Sequence, residues 1–169
     1  MAQVTFGPKH HFFGDIGHVR TIPWNESGRF IVALRTDFQE RMPKADDAAE
    51  IVLIGTRRSN AVEVIGRTCG RNFQQGTMLY GNPRSAETQL FFNDRDPKSG
   101  KIVCVLYDVA RRARVREFRF DDTPVGNSGV AQNGGWFCAI NCARLARRPV
   151  GLPGAVGNSP GKQAGIGKL

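Results

Sequence analysis

The sequence predicts an all-β repeat protein, and three features of its 169 residues carry that expectation. Short apolar segments of strand length follow one another, turns rich in glycine and asparagine separate them, and similar segments return at a spacing of about 50 residues. Lys101–Tyr107 resembles Glu50–Gly55 at an offset of 51, and Ala113–Phe118 resembles Ala61–Gly66 at an offset of 52. The polar turn Trp24-Asn25-Glu26-Ser27-Gly28-Arg29 runs into the apolar segment Phe30–Leu34. A related pattern returns at Gln132–Ile140, where Gly134 stands 106 positions after Gly28.

Each element follows from local chemistry. Residues 1–22 read as an irregular lead-in and first inner strand: Gly7, Gly14 and Gly17 disfavour a helix, and a short strand is expected near His18–Ile22. After the turn at Asn25–Gly28, the unbroken apolar run Phe30–Arg35 predicts a strand covered on both faces. Asp37–Ala49 is a polar loop broken by Pro43. Glu50–Gly55 gives the next strand, Thr56–Asn60 a short basic turn, and Ala61–Ile65 an outer strand whose partial alternation predicts one wet face. The second unit repeats this order through Asn72–Tyr80, Glu87–Asn93, Lys101–Tyr107 and Ala113–Phe118. The hairpin around Gly134 opens a third.

A four-stranded sheet with two apolar faces cannot bury both alone. Its repetition at this period predicts a β-propeller, with a β-sandwich as the alternative because the strand spacing is similar. A closed propeller takes at least four blades, or about 200 residues at this period. The expected architecture is therefore an incomplete β-propeller: two four-stranded blades plus the opening hairpin of a third, within residues 23–148. Residues 149–169 are rich in glycine and proline and lack strand periodicity. They read as a disordered tail or as the product of a disrupted reading frame.

Composition narrows the function classes. No run approaches the roughly 18–20 apolar residues of a membrane span, and the N-terminus lacks the basic start and apolar centre of a signal peptide, so a cytoplasmic protein is expected. The formal charge is +9, of which Arg144, Arg147, Arg148, Lys162 and Lys168 contribute five charges to a stretch without acids. The remainder speaks of solubility rather than a polyanion partner. Cys69, Cys104, Cys138 and Cys142 form no C-x-x-C pair and read as buried thiols, with a zinc site or a disulfide as the alternatives.

Several groups could carry chemistry. His10, His11 and His18, with Asp15 between them, are the candidate ligands for a divalent metal. The competing reading is a loop in which His18 is bonded in a turn, and adjacent His10 and His11 point to opposite sides of an extended chain. His18 together with Arg71, Asn72, Gln74 and Gln75, placed on inner strands, suits a polyhydroxylated or carboxylate-bearing ligand, unless the amides satisfy backbone groups at the corner. Asn93-Asp94-Arg95-Asp96 reads as a turn cap with a weaker calcium-like alternative. Trp24 and Trp136 read as packing residues, with sugar stacking as the alternative. The basic run Arg111–Phe120 reads as a charged edge strand that resists aggregation, in preference to a nucleic-acid contact. No G-x-S-x-G, phosphate-binding glycine loop or H-E-x-x-H is present.

Phe12-Phe13-Gly14, Gly17-His18, Pro23–Arg29, Asn72–Gly76, Phe92-Asn93-Asp94 and Asn141–Leu145 together resemble the N-terminal portion of uncharacterised bacterial β-propeller proteins. That group is more distantly similar to oligogalacturonate lyases and to TolB-type repeat proteins. The resemblance covers about residues 6–148. The lyase likeness implies a seven-bladed propeller performing manganese-dependent β-elimination on uronic-acid oligosaccharides. Its metal-binding histidines and base lie on later blades, and no histidine follows His18 here. The expectation is a truncated propeller descended from a carbohydrate-active or ligand-binding protein, without catalysis of its own. An oligosaccharide or protein is the expected partner, and self-association through unclosed blades is a further expectation. A lyase completed by additional blades and a protein-interaction scaffold are the alternatives.

Overall fold

The computed structural model describes residues 3–13, 22–71, 79–119, 125–140 and 164–168, with the backbone alone for 125–129, 137–140 and 164–168. Among these residues the chain forms strands β1 (His10–Phe12), β2 (Phe30–Thr36), β3 (Ala49–Gly55), β4 (Ala61–Thr68), β5 (Tyr80–Gly81), β6 (Gln89–Arg95), β7 (Ile102–Asp108), β8 (Ala113–Phe118), β9 (Val125–Val130), β10 (Trp136–Ile140) and β11 (Ala164–Lys168), and no helix. They make two four-stranded antiparallel sheets, ordered β1-β2-β3-β4 and β5-β6-β7-β8, and a three-stranded sheet ordered β11-β10-β9. The expected all-β class is the observed one.

Alternation explains how the sheets are arranged. Neighbouring side chains on a strand point to opposite faces, and Ile31-Val32-Ala33-Leu34 is apolar at every position. Both faces of the first sheet must therefore be covered. Ile31, Ala33, Val52 and Ile54 gather on one face, with Val4 and Phe13 packed against them. Val32, Leu34, Ala49, Ile51 and Leu53 point the other way and share one interior with Leu90, Phe92, Val103, Val105 and Tyr107 of the second sheet. On the far face of that sheet Phe91, Cys104 and Phe118 are buried, and Val130 of β9 packs over them. The sheets thus follow one another face to face in chain order.

The central strands of each sheet carry the burial and the outer ones face water. β3 is buried at every position except Glu50, whereas β4 is exposed or half-buried until Thr68. β8 is exposed throughout except for Phe118. The two sheets are also tied by polar contacts. The Tyr107 hydroxyl donates to the Ile65 carbonyl at 2.9 Å, and the buried Thr68 hydroxyl donates to the Asn93 carbonyl. Beyond Thr68 the chain passes so close to β6 that a Cβ on Gly70 would lie 2.7 Å from the Asp94 amide nitrogen.

Two expectations about strand placement change. The strand completing the first sheet lies at His10–Phe12, inside the stretch read as irregular, where it pairs with Leu34–Thr36; residues 14–21 lie outside the described residues. Only three residues make that ladder, too few for a periodicity signal. Residues 164–168 fall within the tail expected to be disordered, yet they pair with β10 from Trp136↔Lys168 to Ile140↔Ala164. Backbone pairing on an otherwise open edge needs no apolar periodicity, so composition alone misjudged it. Residues 149–163 are outside the described residues.

Because the atoms facing Gly70 are backbone and cannot move aside, Gly70→Ala is expected to lower stability by about 1–3 kcal/mol. Gly81→Ala, with open space around it, is expected to be near neutral. Urea denaturation of both variants checks the contrast.

Candidate functional site

One hydrogen-bonded corner introduces a strand in each sheet. In the first, the Asn25 amide donates to the Phe30 carbonyl at 3.1 Å and the Gly28 amide to the Asn25 carbonyl at 3.0 Å. In the third, Ala131 bonds to Trp136 and Gly134 to Ala131, both at 2.8 Å. Gly28 and Gly134 have φ of +67° and +63°, a conformation that side chains disfavour. The sequence match between these glycines is therefore a match of backbone geometry. In the second sheet a longer corner closes through Asn82 to Gln89 at 2.9 Å and Ser85 to Asn82 at 2.8 Å.

The middle corner grips the other two. The Glu87 carboxylate accepts hydrogen bonds from the Ser27 amide and hydroxyl, each at 3.0 Å, from Asn25 Nδ2 at 2.9 Å and from Arg29 Nε at 3.0 Å. In the other direction Arg84 Nε donates to the Asn133 carbonyl at 3.0 Å. The Arg84 side chain lies where a Cβ on Gly134 would be, 2.7 Å from its Cγ. Glycine at 134 thus serves both the turn and the contact. Behind the first clasp is a water-sized hollow lined by Pro23, Trp24, Phe30 and Leu90.

The histidines do not converge among the described residues. His10 pairs with Thr36 and His11 with Arg35, so the two point to opposite faces of β1. Burial, and then the charge of Arg35, holds the His11 imidazole below its ordinary pKa. Asp15 and His18 lie outside the described residues. Among those described, no group of three or more His, Cys, Asp or Glu is gathered as metal ligands.

Of the expected ligand-binding set only Arg71 is described; Asn72, Gln74 and Gln75 lie outside the described residues, as does His18. Arg71 is buried, donates through Nη1 to the Asp47 carbonyl, and lies 5.6 Å from the Phe38 ring centroid. Arg41 stacks on that ring at 3.7 Å and is paired with the Asp47 carboxylate. Together these contacts fix the loop between β2 and β3. Trp24 and Trp136, expected as packing residues, are instead about half exposed, at 53% and 46%. Each stands at a corner, on the rim of its sheet. Cys104 is buried and free, and burial pushes its thiol pKa up; Cys69 is free and half-buried.

At the end of the sheets opposite the corners, the chain forms a cleft of about 370 Å³ where β4, β6 and β8 finish. Arg67, Arg95, Arg114 and Arg119 line it with Asp94, Asp96, Glu117 and Cys69. The pairs Asp96–Arg119, Arg119–Glu117, Glu117–Arg114 and Arg114–Asp94 form a continuous chain of alternating charge. Sequence reading missed this cleft. Its lining comes chiefly from β4, β6, β8 and the residues just past them, so neither Asn93–Asp96 nor the Arg111–Phe120 run marks it alone. Asp96 does cap a turn, accepting from Ser99 Oγ at 2.6 Å and from the Gly100 amide through its own carbonyl at 2.8 Å.

Comparison with known proteins adds no relative: no protein-family model matches this sequence, and no curated protein does. Among the described residues no helix is long and apolar enough to cross a membrane.

The hydrogen bond from Arg29, with those from Ser27, holds the Glu87 carboxyl below its ordinary value of 4.5 against the effect of partial burial. At Glu50 burial pushes the carboxyl up, but hydrogen bonds from Arg35 and Lys9 outweigh it and the net shift is again downward. Both folded-state values lie below the unfolded ones. Their stabilisation is therefore present above about pH 4.5 and is lost as pH falls through the folded values. The melting temperature is expected to drop on acidification through that window. Glu87→Gln is expected to melt lower at neutral pH and to fall less steeply in acid, as thermal melts across pH will show.

Proposed function

We propose that the chain is a β-propeller-type repeat protein whose consecutive sheets are blades, and that it acts as a non-catalytic binding scaffold. The observation that supports this reading is the recurring corner, which repeats in backbone geometry and is gripped from one sheet to the next through Glu87 and Arg84. A sandwich closes two sheets on one interior. Here the second sheet is buried on both faces and a third follows it, which suits a radial stack. The polar side chains at the corners are engaged in holding neighbouring units together. The outer strands β4 and β8 present Val62, Val64 and Val115 among charged residues, a surface of the kind that protein partners use. Descent from a carbohydrate-active or ligand-binding ancestor accords with the motif resemblance around the corners.

The basic run of β8 fits this reading better than a nucleic-acid contact. Arg112 pairs with Glu63, Arg114 with Asp94 and Glu117, and Arg119 with Asp96 and Glu117. Arg116 stacks on Phe118 at 4.4 Å. Charges already paired within the protein contribute little to counterion release from a polyanion.

The test is to incubate the full chain with oligogalacturonate and manganese and to follow unsaturated-uronate absorbance, alongside binding of the same oligosaccharide with and without a chelator. A scaffold is expected to give no absorbance rise, and any binding should be insensitive to the chelator. A metal-dependent rise would contradict the proposal and establish the lyase.

A further inference from the structure

On the outer face of the first sheet, turned away from the second, the N-terminal segment 3–13 covers far more than it appears built to hold. Ala33, Val52 and Ile54 are fully buried there and Ile31 is 5% exposed, with Val4 and Phe13 packed against them. In the β3–β4 ladder Val62 stands opposite Ile54 and Val64 opposite Val52, so both valines share this face. They are 37% and 43% exposed. The apolar face therefore continues past the segment that covers it, out to β4.

The hold on that segment is slight. β1 brings only three residues to its ladder with β2, and all three are half-buried. Of its apolar side chains only Phe12, partly buried, packs against the interior between the sheets. Lys9 is the polar anchor: its Nζ donates to Glu50 Oε2 at 3.1 Å and lies 3.3 Å from Asp37. Glu50 does not depend on it. Arg35 Nε donates to the same oxygen at 2.7 Å and Arg67 stands 3.6 Å from the other, so the carboxylate keeps partners when Lys9 leaves. The closed segment also carries a cost, because His11 Nε2 is buried with no hydrogen-bond partner among the described residues and regains water on opening.

We propose that residues 3–13 form a strap, latched by Lys9 on Glu50, which opens from the first sheet while the two sheets stay folded and so controls exposure of the apolar face beneath it. A segment with few ladder bonds and few buried contacts opens at a free energy below that of global unfolding. Opening leaves the interior between the sheets to its own buried residues on β2, β3, β6 and β7. It bares Ile31, Ala33, Val52 and Ile54 beside Val62 and Val64, one apolar surface across β2, β3 and β4. The strap lies away from the corners that support the scaffold reading, and it can succeed or fail independently of that reading.

Two alanines separate local from global opening. Ala33 and Ala49 are both fully buried, Ala33 beneath the strap and Ala49 in the interior shared with the second sheet. Ala33→Cys and Ala49→Cys are made separately in the full chain and labelled with a maleimide, with peptide masses distinguishing the new thiol from the native cysteines. Labelling at position 33 is expected to be at least about tenfold faster than at position 49. Lys9→Ala, which removes a partly exposed ion pair, is expected to speed labelling at position 33 about two- to fivefold. Hydrogen exchange of the unsubstituted chain gives the same reading without a buried substitution. Amides of β1 are expected to exchange at a rate insensitive to low urea, and those of β3 at a rate that rises with it. Equal labelling at both positions, or one urea dependence shared by β1 and β3, would mean that the strap leaves only with the whole fold and would overturn the proposal. Labelling at position 33 unmoved by Lys9→Ala would overturn the latch.

Discussion

The interior between the first and second sheets is the constraint on which the rest depends. Leu34, Ile51 and Leu53 on one side meet Leu90, Phe92 and Val105 on the other, and all are at most 5% exposed. Apolar area removed from water is the main favourable term in folding, and it is available here only if two units are made together. Neither sheet has an apolar interior of its own; each has faces. From this follow the burial of β2, β3, β6 and β7, the exposure of β4 and β8, and the close pass of Gly70 over β6.

Stacking fixes the two ends of the sheets differently. At the corner end, the backbone turns set by Gly28 and Gly134 each meet the corner of the second sheet, the first through Glu87 and the other through Arg84. At the other end the finishing strands bring arginines and acids into one cleft. A chain with a formal charge of +9 thus engages many of its described arginines in ion pairs within the fold. Net charge by itself said little about partners, and the arrangement of the charges says more.

Much of the fold was legible in the residues. The unbroken apolar run of β2 announced a strand covered on both faces, Glu50–Gly55 and Lys101–Tyr107 announced β3 and β7 as strands, and partial alternation announced the wet face of β4. Gly28 and Gly134 marked one turn twice. The short elements were illegible for a physical reason: β1, β5 and β11 are held by backbone pairing, and Tyr80–Gly81 is too brief to show a period. Arg71 was legible as a residue of consequence, although its consequence is a buried stack with Phe38 and Arg41 that orders a loop. The cleft was hidden because Arg114 and Arg119 meet Asp94 and Asp96, which lie some 20 residues earlier, only once β6 and β8 are in one sheet. Trp24 and Trp136 misled because large aromatics usually pack, and these stand on the rim.

If the shared interior governs the molecule, damage to one sheet must be felt in the other. Native-state hydrogen exchange of Leu53→Ala measures this most directly, since Leu53 belongs to the first sheet and removing its side chain should cost roughly 2–5 kcal/mol. The account predicts that amides of β6 and β7 lose protection to the same extent as those of β2 and β3. Loss confined to the first sheet, with β6 and β7 exchanging as in the parent chain, would contradict it.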